Sequence, residues 1–239
     1  MTAYSSIQGD RAKDTPRHAQ EQGNRELTRD FRRLLDRQGA MSRDQLQAIH
    51  RKWFGPQGLF ATFCAEIERL GRQAPSLDDL TRLGSARRRQ EAELAVAFAL
   101  AQSNRRVAAH NPFNGRTREA LCCVIFDESG AYTLVERYAA YEAMRQGDSE
   151  FFIKLIATTR GVVERRIVFQ GLLEHFDRLL PIEQSIYPGA YREVQLAHLE
   201  REEGLYGPLK LEESLVTLLE TVTPLDLLKQ IQSPIDPLL

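Results

Sequence analysis

Residues 59–70, LFATFCAEIERL, decide the fold class that the sequence predicts for this 239-residue chain. Their apolar side chains recur every three or four positions, which places them on one face of an α-helix and leaves charged residues on the other. Gly71 follows immediately and is typical of a helix end. The stretch therefore predicts an amphipathic helix whose apolar face packs in a core and comprises Leu59, Phe60, Phe63, Cys64, Ile67 and Leu70.

Helical patterns also flank this stretch on both sides. Ser42 with Gln45, and Thr133 with Glu136, match the capping box that starts a helix. Most of the chain beyond residue 132 has helical periodicity that is interrupted by Gly and Pro. Upstream, order is predicted to begin near Arg25, with a first helix whose inner face contains Leu27, Phe31, Leu34 and Leu35.

One segment departs from the helical pattern. Residues 121–126, LCCVIF, form a short apolar run with Asn114-Gly115 before it and Ser129-Gly130 after it. Short apolar runs between turn residues favour a β-strand. The predicted fold is therefore mainly α, a multi-helix, bundle-like architecture with a minor β element near residues 121–126. Because a strand is not stable alone, we expect its edge to pair with another segment or another copy of the chain.

The charge of the chain is distributed unevenly, although the net charge is only −1. Residues 1–120 contain 21 Arg or Lys and 14 Asp or Glu, whereas residues 121–239 contain 11 and 19. A basic half can face nucleic acid or an acidic protein, and it can equally complement the acidic half of its own chain. The asymmetry therefore allows a nucleic-acid partner without requiring one.

These patterns suggest four segments along the chain. Residues 1–23 lack apolar periodicity and are predicted to be a disordered or loosely docked tail. A basic helical unit at 24–110, a turn–strand–turn connector at 111–131 and an acidic helical unit at 132–239 follow. The alternative is that the two helical units form one continuous domain.

The sequence also indicates a compartment. Cys64, Cys122 and Cys123 do not form a spaced disulfide framework, which favours a reducing environment. The N-terminal residues contain no apolar region of a secretory signal. The longest near-apolar run, residues 94–101, is far shorter than the roughly 18 residues of a membrane span. We therefore expect a soluble cytoplasmic protein of bacterial type that does not contact membranes.

The helix pair at residues 25–53 has the outline of a helix-turn-helix. Its second helix would enter the major groove, where Arg and Gln match base edges. Any two amphipathic helices of a bundle give the same pattern, so a purely structural role is the alternative. The residues predicted to contact DNA here are Ser42, Arg43, Gln45 and Gln47 at base edges, and Arg51 and Lys52 at phosphates.

Three consecutive arginines, Arg87, Arg88 and Arg89, open the predicted helix at residues 86–103. Cations in the first turn of a helix oppose its dipole, so this placement is locally unfavourable. Such a charge run sometimes serves a ligand, and we therefore include the three arginines among the candidate nucleic-acid contacts. A solvated helix face is the alternative.

Catalytic and metal-binding patterns are weak. Asp127 and Glu128 follow the predicted strand, where a phosphate-directed hydrolase could place carboxylates. No second carboxylate motif supports them, and Asp-Glu-Ser-Gly is also a favourable turn. The five histidines are scattered and the adjacent cysteines lack the spacing of zinc ligands. We therefore predict no catalytic residue, no metal and no small-molecule cofactor.

Taken with the charge distribution, these observations favour a non-enzymatic regulatory or adaptor protein that acts through protein–protein contacts or self-association. The alternative is a DNA-binding transcriptional regulator that uses the helix pair at residues 25–53. The surface predicted to hold a protein partner combines the strand edge with the apolar C-terminal tail: Leu121, Val124, Phe126, Ile235, Leu238 and Leu239.

Overall fold

The computed structural model of the protein describes residues 15–103, 108–158 and 165–232. Within these ranges the chain forms eleven α-helices and two short 3₁₀ helices, and it contains no β-strand. The prediction of a mainly α, multi-helix architecture is therefore confirmed.

The helices follow one another with short connections. The two 3₁₀ helices span Gly71–Gln73 and Pro75–Arg82. The α-helices are α1 (Thr15–Gly39), α2 (Arg43–Phe54), α3 (Leu59–Leu70), α4 (Ala86–Ser103), α5 (Arg118–Ile125), α6 (Leu134–Ala157), α7 (Arg165–Asp177), α8 (Pro181–Gln184), α9 (Tyr191–Tyr206), α10 (Leu215–Thr221) and α11 (Pro224–Gln232).

The first helix begins at Thr15 and not near Arg25. Part of the predicted tail, residues 15–23, is therefore helical, while residues 1–14 lie outside the described residues. The apolar pattern missed this extension because its residues are polar. Once the C-terminal part of α1 is packed on α5, each further residue adds one backbone hydrogen bond at little cost, so polar helix formers can prolong the helix.

The strand predicted at residues 121–126 is wrong, because residues 121–125 belong to helix α5 and Phe126 is its C-cap. Thr117 caps the helix: its hydroxyl oxygen accepts a hydrogen bond from the backbone N–H of Ala120, at 3.3 Å. Both α1 and α6 pack against α5, and its buried residues, Leu121, Cys122, Val124 and Ile125, have the spacing of a helix face within an apolar run too short to distinguish a helix from a strand. The described chain therefore has no strand edge here for a partner to pair with.

Two hydrophobic clusters form the core, and α6 contributes to both. The first contains side chains from α1 to α5, the N-terminal part of α6 and α8. In the second, Leu155 of α6 packs with buried residues of α7, α10 and α11. No residue of α6 between Met144 and Leu155 is fully buried. The middle of α6 is thus the place where the clusters meet.

Substitution by alanine at two helical glycines is expected to change the free energy of unfolding in opposite directions. A Cβ atom at Gly171 of α7 would lie 2.6 Å from Cδ1 of the buried Leu155, whereas one at Gly147 of α6 would meet nothing within 4 Å. Gly147→Ala is expected to raise the free energy of unfolding by about 0.5–1 kcal/mol, because alanine favours helix. Gly171→Ala is expected to lower it by about 1 kcal/mol through overpacking. Urea denaturation measures both, and a stabilising Gly171→Ala would contradict the close helix contact.

Candidate binding cleft

A cleft of about 690 Å³ lies beside the middle of α6, where the two clusters meet. One wall consists of residues 113–119, which lead into α5, and the others come from α6, α7 and α10. Its volume falls in the range of pockets that hold ligands. The lining combines buried apolar residues, such as Phe113 and Met144, with charged side chains of both signs.

The loop before α5 is fixed on the fold by its own hydrogen bonds. The buried Asn111 donates from Nδ2 to the carbonyl of Ala139 at 2.8 Å, and its Oδ1 accepts from the backbone N–H of Phe113 at 3.0 Å. Gly115 has a φ of 77°, a left-handed conformation that favours glycine. The guanidinium of Arg116 lies 4.4 Å from the centre of the Phe113 ring. This wall of the cleft is therefore preorganised.

Four ionisable side chains, three of which line the cleft, form a network that joins α5, α6, α7 and α8. Arg118 donates from Nη1 to Oδ1 of Asp148 at 2.6 Å and from Nη2 to Oε1 of Glu183. Nε2 of His175 lies 3.1 Å from the same Asp148 oxygen. The other oxygen of Glu183, Oε2, accepts the backbone N–H of Leu180 at 2.9 Å. The network thus ties residues of the first cluster to α7 in the second.

The two carboxylates of this network respond differently to their surroundings. Burial by itself would raise the pKa of Asp148, but the hydrogen bond with His175 and the charge of Arg118 outweigh it, so the pKa is lowered. For Glu183 burial prevails over the attraction of Arg118, and the pKa is raised. The charge of Arg118 thus lowers the pKa of both carboxylates, but only at Asp148, where His175 adds a hydrogen bond, is the effect of burial outweighed.

The opposite pKa shifts predict opposite pH dependences for two variants. The folded state holds the Asp148 proton less tightly than the unfolded state, so the stabilisation by Asp148 is present above its unfolded pKa and is lost as the pH falls through its folded pKa. The folded state holds the Glu183 proton more tightly than the unfolded state does. The contribution of Glu183 to the free energy of unfolding therefore falls as the pH rises from its unfolded pKa through its folded pKa. The free energy lost on Asp148→Asn should grow from acidic to neutral pH, whereas that lost on Glu183→Gln should shrink. Urea titrations across this range measure both, and parallel slopes would contradict the prediction.

The His175 ring is held in a defined orientation. It stacks on Phe151 with ring centres 5.5 Å apart and an angle of 13°, and its centre lies 4.6 Å from that of Phe152. The nearby thiols are not activated: Cys122 is buried with a raised pKa, and burial raises the pKa of Cys123 to about 11. The described lining of the cleft contains neither serine nor cysteine. The site is therefore built from hydrogen-bonding and charged groups around an apolar interior.

The residues predicted to read DNA bases lie elsewhere and contact their own chain. Arg43 donates to the carbonyl of Tyr187, and Gln47 donates to that of Ser185 at 2.7 Å. Gln45 completes the predicted capping box by accepting the backbone N–H of Ser42 at 2.8 Å. The bonds of Arg43 and Gln47 hold α2 against the segment that follows α8. The predicted phosphate contacts, Arg51 and Lys52, are exposed on α2.

The three arginines of α4 have separate surroundings. Arg88 pairs with the buried Glu136 of α6 at 2.8 Å and donates to the carbonyl of Ala131 at 3.0 Å. Arg87 pairs with Glu91 on its own helix at 3.2 Å, and Arg89 is exposed. The unfavourable position of Arg88 near the helix start thus has a structural explanation, because Arg88 neutralises a buried carboxylate.

Of the six residues proposed for a protein partner, the three that the structure describes are not exposed. Leu121, Val124 and Phe126 are all buried in the first hydrophobic cluster. The other three, Ile235, Leu238 and Leu239, lie outside the described residues.

Asp127 and Glu128, the weak hydrolase candidates, have different roles from each other. Asp127 accepts the backbone N–H groups of Ser129 and Tyr132, both at 2.9 Å, and so closes a turn. Glu128 pairs with Arg37 of α1 at 2.6 Å. Neither residue lines the cleft.

The chain has no match among protein-family models, curated proteins or solved structures. None of the described helices is both long enough and apolar enough to cross a lipid bilayer. Within the described ranges, no group of three or more His, Cys, Asp or Glu side chains is arranged to hold a metal ion.

Proposed function

We propose that this chain is an adaptor protein that works through protein–protein contacts and holds a segment of a partner in the cleft beside α6. The observation that carries the proposal is the composition of the cleft walls. The charged side chains of Arg116, Glu119, Arg178 and Glu220, most of them exposed, line the cleft together with buried apolar residues. An apolar centre within a charged rim is typical of surfaces that bind polypeptides.

The position of the cleft supports the same proposal. It lies among α5, α6, α7 and α10, and binding sites in helical bundles occur preferentially between the helices. The wall at residues 113–117 is fixed by Asn111 before any partner arrives, so little conformational entropy is lost on binding.

Site-specific photo-crosslinking tests the proposal. A photoreactive amino acid at the exposed rim residue Asn114 is expected to form adducts with another polypeptide in cells. The same amino acid at Gln90, an exposed residue of α4 that does not line the cleft, is the matched control. Adducts from both positions alike, or none from Asn114, would overturn the proposal.

The alternative function, a DNA-binding regulator, stays a prediction for the helix pair at residues 25–53. The bonds of Arg43 and Gln47 to their own chain weigh against a base-reading role for α2, although Arg51 and Lys52 are exposed. Fluorescence anisotropy with a labelled random duplex, between about 50 and 200 mM salt, tests it. A steep loss of affinity with salt would favour DNA binding, and no binding at low salt would exclude it.

A further inference from the structure

We infer that the cleft holds its partner through one bulky apolar side chain of the partner segment, which enters a gap on the surface of α6 at Gly147. This inference rests on the proposed function, because it names the anchoring group of the segment that the cleft would hold. Three observations carry it: the open space at Gly147, the apolar residues around that space, and the lack of a structural need for glycine at this position.

Gly147 leaves open space in the lining of the cleft. It lies in the interior of α6 and lines the cleft. A Cβ atom placed on it would meet nothing within 4 Å outside its own stretch of helix backbone. The surface of α6 therefore has a gap where a side chain would otherwise stand. Such a gap can receive a side chain from another segment, as the holes between the helices of a coiled coil do.

The positions around the gap are mainly apolar. On a helix surface the neighbours of a residue lie three and four positions away, and for Gly147 these are Ala143, Met144, Glu150 and Phe151, all of which line the cleft. Because three of the four are apolar, water in the gap forms few hydrogen bonds with the protein. An apolar side chain in its place would be removed from solvent, which is favourable.

The fold itself does not require glycine at position 147. Gly147 is not among the described glycines with a positive φ, so its backbone conformation is one that residues with side chains adopt freely. A Cβ atom would not clash there, in contrast to Gly171, where it would meet Leu155. Glycine in a helix interior is destabilising relative to alanine. Packing within the described chain does not explain this glycine, whereas contact with a partner segment does.

The gap specifies the chemistry of the partner segment. Interfaces are held mainly by a few side chains that fill desolvated pockets, and an aliphatic or aromatic anchor in a pocket is the usual form of such a contact. The buried Met144 and the half-buried Phe151 form apolar surfaces on either side of the gap. The partner segment is therefore one that presents an aliphatic or aromatic side chain, such as that of leucine, to α6.

Two variants test the inference in the crosslinking experiment at Asn114. Gly147→Leu fills the gap and is expected to reduce the adducts at least about tenfold. Gly204→Leu is the matched control, because Gly204 is an exposed residue of α9 that does not line the cleft, and a Cβ atom there would also meet nothing within 4 Å. It is expected to leave the adducts unchanged. Leucine favours helix at both positions, so both variants are expected to fold.

Small probes test the gap without the partner. N-acetyl-leucinamide and N-acetyl-glutaminamide, whose side chains are similar in length, are added separately to the full chain, and backbone amide signals are followed in two-dimensional NMR spectra. The leucine probe is expected to shift the signals of residues 143–151 at concentrations of about 1–10 mM. The glutamine probe is expected to shift them much less. In Gly147→Leu the difference between the two probes is expected to disappear.

Three results would overturn the inference: equal adducts from the wild-type and Gly147→Leu proteins, equal losses in Gly147→Leu and Gly204→Leu, or equal shifts by the two probes. Adducts from Asn114 together with any of these results would leave the adaptor proposal in place and reject only the apolar anchor. The absence of adducts from the wild-type protein would reject the adaptor proposal, and the probes would then decide separately whether the gap accepts an apolar side chain.

Discussion

Replacing Arg118 with methionine is expected to lower the free energy of unfolding by about 3–5 kcal/mol. The side chain of Arg118 is 13% exposed and pairs with Asp148 and Glu183. Methionine fills a similar volume but leaves both carboxylates without their cation. Burial already opposes the ionised form of Glu183, whose pKa is raised in the native network. Urea denaturation at neutral pH measures the loss.

Arg145→Met is the matched control on the surface. Arg145 pairs with Glu142 at 2.8 Å on the same helix, but its side chain is 60% exposed. Ion pairs at the surface contribute about 0.2–1 kcal/mol, so the loss in this variant should be well below that in Arg118→Met. A second change in the first variant, Glu183→Gln, should restore part of the stability by removing one uncompensated charge. Equal losses in Arg118→Met and Arg145→Met would show that the network does not hold the four helices together.

Replacing Phe126 with alanine is expected to lower the free energy of unfolding by about 3–5 kcal/mol. Phe126 ends α5 and is only 4% exposed. Its ring stacks on Trp53 with centres 5.4 Å apart and meets the edge of Phe54 at 5.9 Å. Alanine would leave a cavity among rings that cannot close around it. Thermal and urea unfolding both measure this change.

The same variant separates a core residue from a partner-binding residue. A side chain that serves only a partner can be truncated with little effect on the isolated protein. Leu94→Ala is the matched control, because Leu94 is 53% exposed on α4 and is expected to change stability by less than about 0.5 kcal/mol. A Phe126→Ala protein as stable as Leu94→Ala would restore Phe126 as a candidate surface residue.

The elements predicted correctly from sequence are those whose signals are local. The helix at Leu59–Leu70 has an apolar stripe of full length, and the capping boxes at Ser42 and Thr133 are both present. The segment that became α5 could not be assigned, because a short, nearly continuous apolar run fits a buried strand and a buried helix equally well. Its cap, Thr117, was the local signal for a helix.

The cleft was not predictable in the same way. Arg118 is 30 residues from Asp148 and 65 from Glu183 along the chain. No short motif of fixed spacing in the sequence could therefore indicate the network. Arg118 stood out only as one of many N-terminal arginines, and neither Asp148 nor Glu183 has a sequence neighbour that indicates burial of a charge. Only the packing of α5, α6, α7 and α8 brings these groups together, and that packing is set by apolar residues elsewhere.

The passage of α6 through both hydrophobic clusters has a consequence for how the protein unfolds. The helix has 24 residues and is therefore about 36 Å long, with an unbroken ladder of backbone hydrogen bonds between Met144 and Leu155. Unfolding of either cluster would unwind part of α6, and the loss of this shared helix would destabilise the other cluster. The two clusters should therefore lose their amide protection together in hydrogen exchange, as one cooperative unit with the cleft at its centre.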